Sequence, residues 1–274
     1  MNQDALQRIE VDLLLEAIFQ VYGYDFREYS KASMDRRVRQ FIAAEGYRTI
    51  GELIPGVLHD KSLFFELAKY FSVSVTAMFR DPFVYRVIRE KVLPRLRSHP
   101  FFKFWHAGCA TGEEVYSMAI LLFEEGLLDR STLYATDFNQ GALDKARKGI
   151  YPLARISEYT RNYQHSGSKS SFSEYYHAMY GAATLRDDLK ARITFAGHNL
   201  VTDSVFGDTH MVFSRNVLIY FSKKLKDRVL NLFTDSLVHG GFLCLGTAES
   251  IEFSDVAAQY EVIDSDARIY RKVT

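Results

Sequence analysis

Residues 107–116 read AGCATGEEVY, between the apolar run FFKFWH at 101–106 and the helical pattern EEVYSMAILLFEE at 113–125. A buried strand, a glycine turn and a helix form a common cradle for nucleotide-like ligands, because the first turn of a helix presents unpaired N–H groups. The usual occupant is a phosphate, and Glu113 and Glu114 would repel one. A dinucleotide fingerprint needs G-x-G-x-x-G, whereas this turn supplies only Gly108 and Gly112 as G-x-x-x-G. A phosphate loop needs Lys and Ser/Thr after its last glycine, where two glutamates stand. Both phosphate readings fail. The ligand that fits carries adenosine and positive charge.

Outward from this turn, the pattern alternates. DPFVYRVIREKVLPRLRS reads as a helix, TLYATD as a strand, ALDKARKG as a helix, and ITFAGHN and HMVFSRN as strands. Strands alternating with helices predict a mostly parallel, doubly wound α/β sheet. GFLCLGT is a further strand, and QYEVID with ARIYRKV reads as a hairpin that closes the sheet antiparallel. Residues 157–192 interrupt the alternation; they are too long and too aromatic for a simple loop and predict a small inserted subdomain. Upstream, residues 6–22 place Ile9, Leu13, Leu14 and Ile18 along one helical face, with Gly23 as a stop. Helical patterns over 33–44, 50–58 and 61–71 follow, so the first 71 residues predict a small all-helical unit.

In open α/β sheets ligands bind beyond the carboxyl ends of the strands. Three strand ends qualify: Ala107–Glu114, Asp137 after LYAT, and Asn216 after VFSR. Asp137 lies 25 residues beyond Gly112, a distance that suits an acid accepting hydrogen bonds from both ribose hydroxyls. S-adenosylmethionine has adenosine, a sulfonium, an ammonium and no phosphate, so acids at the turn attract it. Glycine turn, acid and reversed hairpin together point to a methyltransferase.

Composition narrows the class. The chain has 274 residues, 47% hydrophobic and 25% charged, the make-up of an ordinary globular protein. Lys and Arg balance Asp and Glu at 34 each, so no chain-wide field favours nucleic acid or a membrane surface. Cys109 and Cys244 are too few for a disulfide framework and suit a reducing cytoplasm; no metal site is expected. The N-terminus MNQDALQRIEVD lacks the pattern of a secretory signal, and no apolar run approaches the ~20 residues of a membrane span.

The stretches SVTAMFRDP, WHAGCATGEEVYSMAI, YATDFNQGALDKARKGIY, ITFAGHNL, SRNVLIYF and LGTAES occur in the order found in CheR-type chemoreceptor glutamate methyltransferases. The chain resembles that family over nearly its full length. The resemblance implies a Rossmann-like methyltransferase sheet with a reversed C-terminal hairpin and a small all-α N-terminal domain. The domains expected are 1–71, a linker at 72–84 that reaches the cofactor, and a catalytic domain at 85–274 with a small β-subdomain inserted at about 157–192. It implies S-adenosylmethionine as cofactor, S-adenosylhomocysteine as product, and a cytoplasmic, monomeric enzyme. Its substrate would be glutamate side chains on the helical cytoplasmic domain of receptors.

By the same resemblance Ser74, Thr76, Arg80, Gly108, Glu114, Asp137, Asn199, Leu200, Asn216 and Val217 are cofactor residues. Arg80 and Tyr220 would orient the reacting carboxylate, and Arg36, Arg37 and Arg39 would dock the substrate. Three positions depart from the family pattern: Ser74 stands for an asparagine, Val115 for a proline and Thr247 for a histidine. Blander readings stand beside these: Asp137 as a helix cap, Tyr220 as core, Arg36, Arg37 and Arg39 as a solvated face, and His106 and His198 as hydrogen-bonded structural histidines. A methyltransferase with another protein substrate, or a cofactor-binding module without turnover, are the rival functions.

Overall fold

A computed structural model describes residues 3–71 and 76–274. Ser74 therefore lies outside the described residues. The chain divides into two compact units. The first holds residues 3–71 with Val201–Asp203 and Tyr220–Val229; the second holds the rest.

The first unit is built on four helices, α1 (Gln3–Tyr22), α2 (Lys31–Glu45), α3 (Ile50–His59) and α4 (Lys61–Phe71). Val11, Leu14, Leu15 and Ile18 form the buried stripe of α1, at i, i+3, i+4 and i+7. Ile9 and Leu13, expected on that stripe, are 48% and 56% exposed, because the apolar residues of this helix span more arc than its neighbours cover. α2 starts two residues earlier than its pattern suggests and ends where Gly46 turns left-handed, with φ 78°. Thr49 caps α3 by accepting from the Glu52 N–H at 3.2 Å. The returning segment is stitched in by backbone: Ser30 N–H donates to Tyr220 O at 2.7 Å, and Ser222 N–H to Glu28 O at 2.8 Å.

The second unit opens with α5 (Pro82–Val87), a π-helical turn at Ile88–Val92 and α6 (Leu93–Leu96). Next come β1 (Phe102–Ala107), α7 (Glu113–Glu124), β2 (Ser131–Asp137) and α8 (Gln140–Lys148). Asn139 caps α8 by accepting from Ala142 N–H at 3.1 Å, and Gly149 ends it in the left-handed region. A small antiparallel sheet and its helices follow: β3 (Ile150–Pro152), α9 (Leu153–His165), β4 (Tyr176–Met179), β5 (Ala182–Leu185) and α10 (Asp187–Lys190), with strand order β3-β5-β4. This sheet draws a strand from upstream of residue 157. Tyr159, Tyr163, Phe172 and Tyr175 are buried in the main core, which accounts for the aromatic richness of the stretch. β6 (Ile193–Gly197), β7 (Thr209–Ser214), α11 (Lys223–Ser236), β8 (Leu237–Leu245), β9 (Tyr260–Asp264) and β10 (Ile269–Lys272) complete the chain.

The main sheet has the order β6-β2-β1-β7-β8-β10-β9. Pairs β6–β2, β2–β1, β1–β7 and β7–β8 are parallel, while β10 runs antiparallel to both β8 and β9. The sheet is thus doubly wound with a reversed C-terminal hairpin. Beyond β1 the chain steps to β2 and β6 on one side, then returns to β7 and β8 on the other. The order reverses between β1 and β7, and it is at such a switch point, beyond the carboxyl ends of the strands, that open α/β sheets bind ligands.

Candidate cofactor site at the sheet switch point

The turn after β1 is pulled onto the end of β2: the N–H groups of Gly108 and Cys109 both donate to Thr136 O, at 2.8 and 2.9 Å. Asp137 then fastens the two loops together. Its Oδ2 accepts from Ala110 N–H at 2.9 Å and its Oδ1 from Asn139 N–H at 2.8 Å. Asp137 is 8% exposed, and burial pushes its carboxyl above the usual range although these N–H groups oppose the shift.

The glycines admit close approach. Gly108 has φ 75°, and a Cβ there would sit 2.6 Å from Val217 Cγ2, in the loop after β7. Gly112 has φ 92°, and a Cβ there would sit 2.9 Å from Ala146 Cβ. The loops after β1 and β7 therefore meet at the switch point, with Asn216 beside them at φ 62°.

Glu114, in the first turn of α7, belongs to a buried ionic cluster. Its Oε1 lies 3.0 Å from His106 Nδ1, and its Oε2 lies 3.4 Å from Arg215 Nη1. Arg215 Nη2 also donates to Asp81 Oδ2 at 2.7 Å. Burial alone would raise the Glu114 carboxyl, but His106 and Arg215 outweigh it and hold the group below the usual carboxylate range. Burial likewise disfavours the Arg215 cation; Glu114 foremost, with Asp81 contributing, more than restores it. His106 is fully buried and stacks on Phe213 with ring centroids 4.3 Å apart. His198 Nε2 lies 3.2 Å from Ser204 O, so each of the two histidines makes a hydrogen bond.

The described end of the linker is held in an unusual backbone. Phe79 and Asp81 have φ 51° and 53°, on either side of Arg80. Phe79 is fully buried and its N–H donates to Ser117 Oγ at 2.8 Å. Arg155 Nη2 donates to Thr76 O and Asn162 Nδ2 to Met78 O, each at 3.0 Å. Two residues after β6, Asn199 and the buried Leu200 follow His198, whose N–H donates to Asp137 O at 3.2 Å.

The structure brings Gly108, Glu114, Asp137, Asn216 and Val217 to the ends of β1, β2 and β7. Tyr220 belongs to the helical unit, where the Arg37 guanidinium lies 4.4 Å from its ring centroid. That contact corrects one expectation. Arg37 is 2% exposed and its Nη1 donates to Phe71 O, so it cannot dock a partner. The cause is periodicity: Arg37 shares the buried face of α2 with Met34, Val38 and Phe41, whereas Arg36 and Arg39 are exposed.

Arg215 and Asp81 were not singled out by sequence reasoning. A signal existed: an arginine closing an apolar strand must find carboxylates, and the glycine turn carries two.

The chain matches the family model "CheR methyltransferase, SAM binding domain" over residues 74–269 and "CheR methyltransferase, all-alpha domain" over residues 9–72. A Pseudomonas putida methyltransferase called Cher3 is 49% identical over 272 residues, covering 99% of this chain and 100% of that one. Chemotaxis protein methyltransferases from Vibrio cholerae and Listeria innocua are 32% and 30% identical, over 72% and 84% of this chain and 72% and 85% of theirs. The chain belongs to the CheR methyltransferase family, whose cofactor is S-adenosylmethionine. The residues fit that group: the buried Asp137, the half-buried Glu114 and the glycines that let backbone come close suit adenosine and positive charge.

Proposed function

We propose that the chain is a protein-glutamate O-methyltransferase acting on the helical cytoplasmic domains of chemoreceptor-type proteins. The observation that carries this reading is how the titratable groups at the sheet end are used. His106 is fully buried, and Glu114 is engaged by both His106 and Arg215, so neither can take a proton from a substrate. With His106 and Glu114 tied to each other, the sheet end suits a nucleophile that arrives ionised, and a glutamate side chain, with a pKa near ~4.3, does so at neutral pH.

Bound S-adenosylmethionine supplies an electrophilic methyl group on a sulfonium. Asp137 holds the ribose, Glu114, Asn199, Asn216 and Val217 complete the cofactor contacts, and Thr76 and Arg80 reach it from the linker. Arg80 also supplies positive charge for the incoming carboxylate. Turning a bimolecular encounter into a positioned one is worth on the order of 7–11 kcal/mol.

Docking falls to the exposed face of α2. Ala32, Asp35, Arg36, Arg39, Gln40 and Ala43 line a shallow concavity of about 570 Å³, with Lys31 exposed on the same helix. This basic face complements a Glu-rich receptor helix.

The test is incubation with S-adenosylmethionine and a receptor cytoplasmic fragment, with and without its C-terminal tail, followed by mass spectrometry. Base-labile methyl esters on glutamates are expected with either fragment. An Arg36→Glu/Arg39→Glu variant should associate about tenfold more slowly at low salt and less so at high salt. Base-stable methylation of another side chain would indicate a different protein substrate, and no transfer at all a binding module. Full activity of the variant with strict dependence on the tail would move docking to the inserted small sheet.

A further inference from the structure

Glu249, in the loop after β8, is another buried carboxylate of this sheet end, 5% exposed. Its Oε2 accepts from the N–H groups of Gly246 at 2.6 Å and Asn216 at 2.9 Å, and its Oε1 from Ile219 N–H at 3.2 Å. Its own N–H donates to Gly246 O at 2.8 Å. The side chain thus spans from the end of β8 to the turn after β7 and meets backbone at each of these contacts. That turn is the one whose Asn216 has φ 62° and whose Val217 packs against Gly108 of the glycine turn. Asparagine takes such a φ more readily than most side chains, and it stays there when contacts at the turn hold it. Here they do: Glu249 binds the N–H of Asn216 itself and that of Ile219 three residues on.

Gly246 makes room for this arrangement. A Cβ there would lie 2.7 Å from Glu249 Oε2, 2.8 Å from Asn216 N and 3.0 Å from Asn216 Nδ2. The geometry also requires a carboxylate rather than an amide. Both oxygens accept, so a glutamine could satisfy one set of N–H groups only by turning its own NH₂ toward the other.

We propose that Glu249 is a positioning residue which, with Gly246 as its seat, presets the Asn216–Ile219 turn for binding S-adenosylmethionine. The inference rests on the reading that this turn borders the cofactor crevice. It explains why an acid is buried where no cation is needed: backbone donors along a turn are organised most strongly by a negative acceptor.

Calorimetry with S-adenosylhomocysteine tests it, using Glu249→Gln, Gly246→Ala, and Glu252→Gln as a surface control in the same loop. Both site variants should bind about tenfold or more weakly at unchanged stoichiometry, and the control like wild type. Amide hydrogen exchange over residues 216–219 should quicken in both. A merely structural role would instead lower the stoichiometry and leave the dissociation constant of the folded fraction unchanged; that result overturns the proposal. If Glu249→Gln fails to fold, Gly246→Ala decides, because it crowds the carboxylate without removing it. Wild type that bound no S-adenosylhomocysteine would sink the cofactor assignment and this proposal together, whereas normal binding by both variants sinks only the proposal.

Discussion

At the end of β2, Asp137 meets the N–H groups of Ala110 and Asn139, and burial raises its carboxyl. Across β1, at the start of α7, Glu114 meets the side chains of His106 and Arg215, which hold its carboxyl down. The two acids stand at one sheet end and keep their places by opposite means. Backbone donors fix where Asp137 points, leaving its charge undercompensated and ready for donors from a ligand. The Arg215 cation and the His106 ring engage Glu114, so the cofactor contact proposed for it is tied to the integrity of the cluster behind it. Burial of an acid therefore has two different consequences, set by what else is buried with it.

The largest expected effect separates the two roles. Asp137→Ala should lose two charge-assisted hydrogen bonds to ribose, each worth roughly 1.5–3 kcal/mol, with the fold retained. Calorimetry with S-adenosylhomocysteine measures this, and unchanged affinity in a folded variant would break the ribose assignment. Arg215→Ala should act on stability instead. Leaving Glu114 and Asp81 without their cation in a largely buried setting costs about 3–5 kcal/mol, read from urea unfolding. A loss under about 1 kcal/mol would mean that the cluster is solvated and the contrast with Asp137 false.

The pH response sharpens the comparison further. In the proposed role ribose hydroxyls would donate to the ionised form of Asp137, so binding would favour loss of its proton. Affinity for S-adenosylhomocysteine should fall as pH drops through the raised pKa of Asp137 and level off above it, with Cys109 as the neighbouring thiol. Asp137→Asn should flatten that slope. In the ligand-free chain the sign is opposite. The folded pKa lies above the unfolded one, so Asp137 favours folding at low pH, and that contribution is lost as pH rises through the folded value. The smallest effect belongs to His106→Gln, which removes one of the two partners of Glu114. It should cost about 1–3 kcal/mol in stability, with Arg215 still in place. A cost equal to that of Arg215→Ala would show that His106 anchors Glu114 as much as the arginine does.

Much of the sheet end was legible beforehand because its logic is local. A glycine turn followed by two glutamates excludes phosphate by charge alone, and the distance from Gly112 to Asp137 follows from one strand–turn–helix–strand unit. Alternating strands and helices, ending in a hairpin, specify a doubly wound sheet with a reversed edge, because each element declares itself by its own hydrophobic period. The partners of buried charges were not legible. His106 and Glu114 are near neighbours in sequence, but Asp81 at the start of α5 and Arg215 at the end of β7 are 134 residues apart, and no local pattern couples them. The same holds for α2. Its composition announces a basic helix, yet only the burial of Met34, Val38 and Phe41 turns Arg37 inward, toward Phe71 and Tyr220, and leaves Arg36 and Arg39 outside. By itself the sequence determined the elements, their order and the charge of the ligand they can hold. Only the tertiary structure decided which charges neutralise one another, because pairing depends on which faces are buried together.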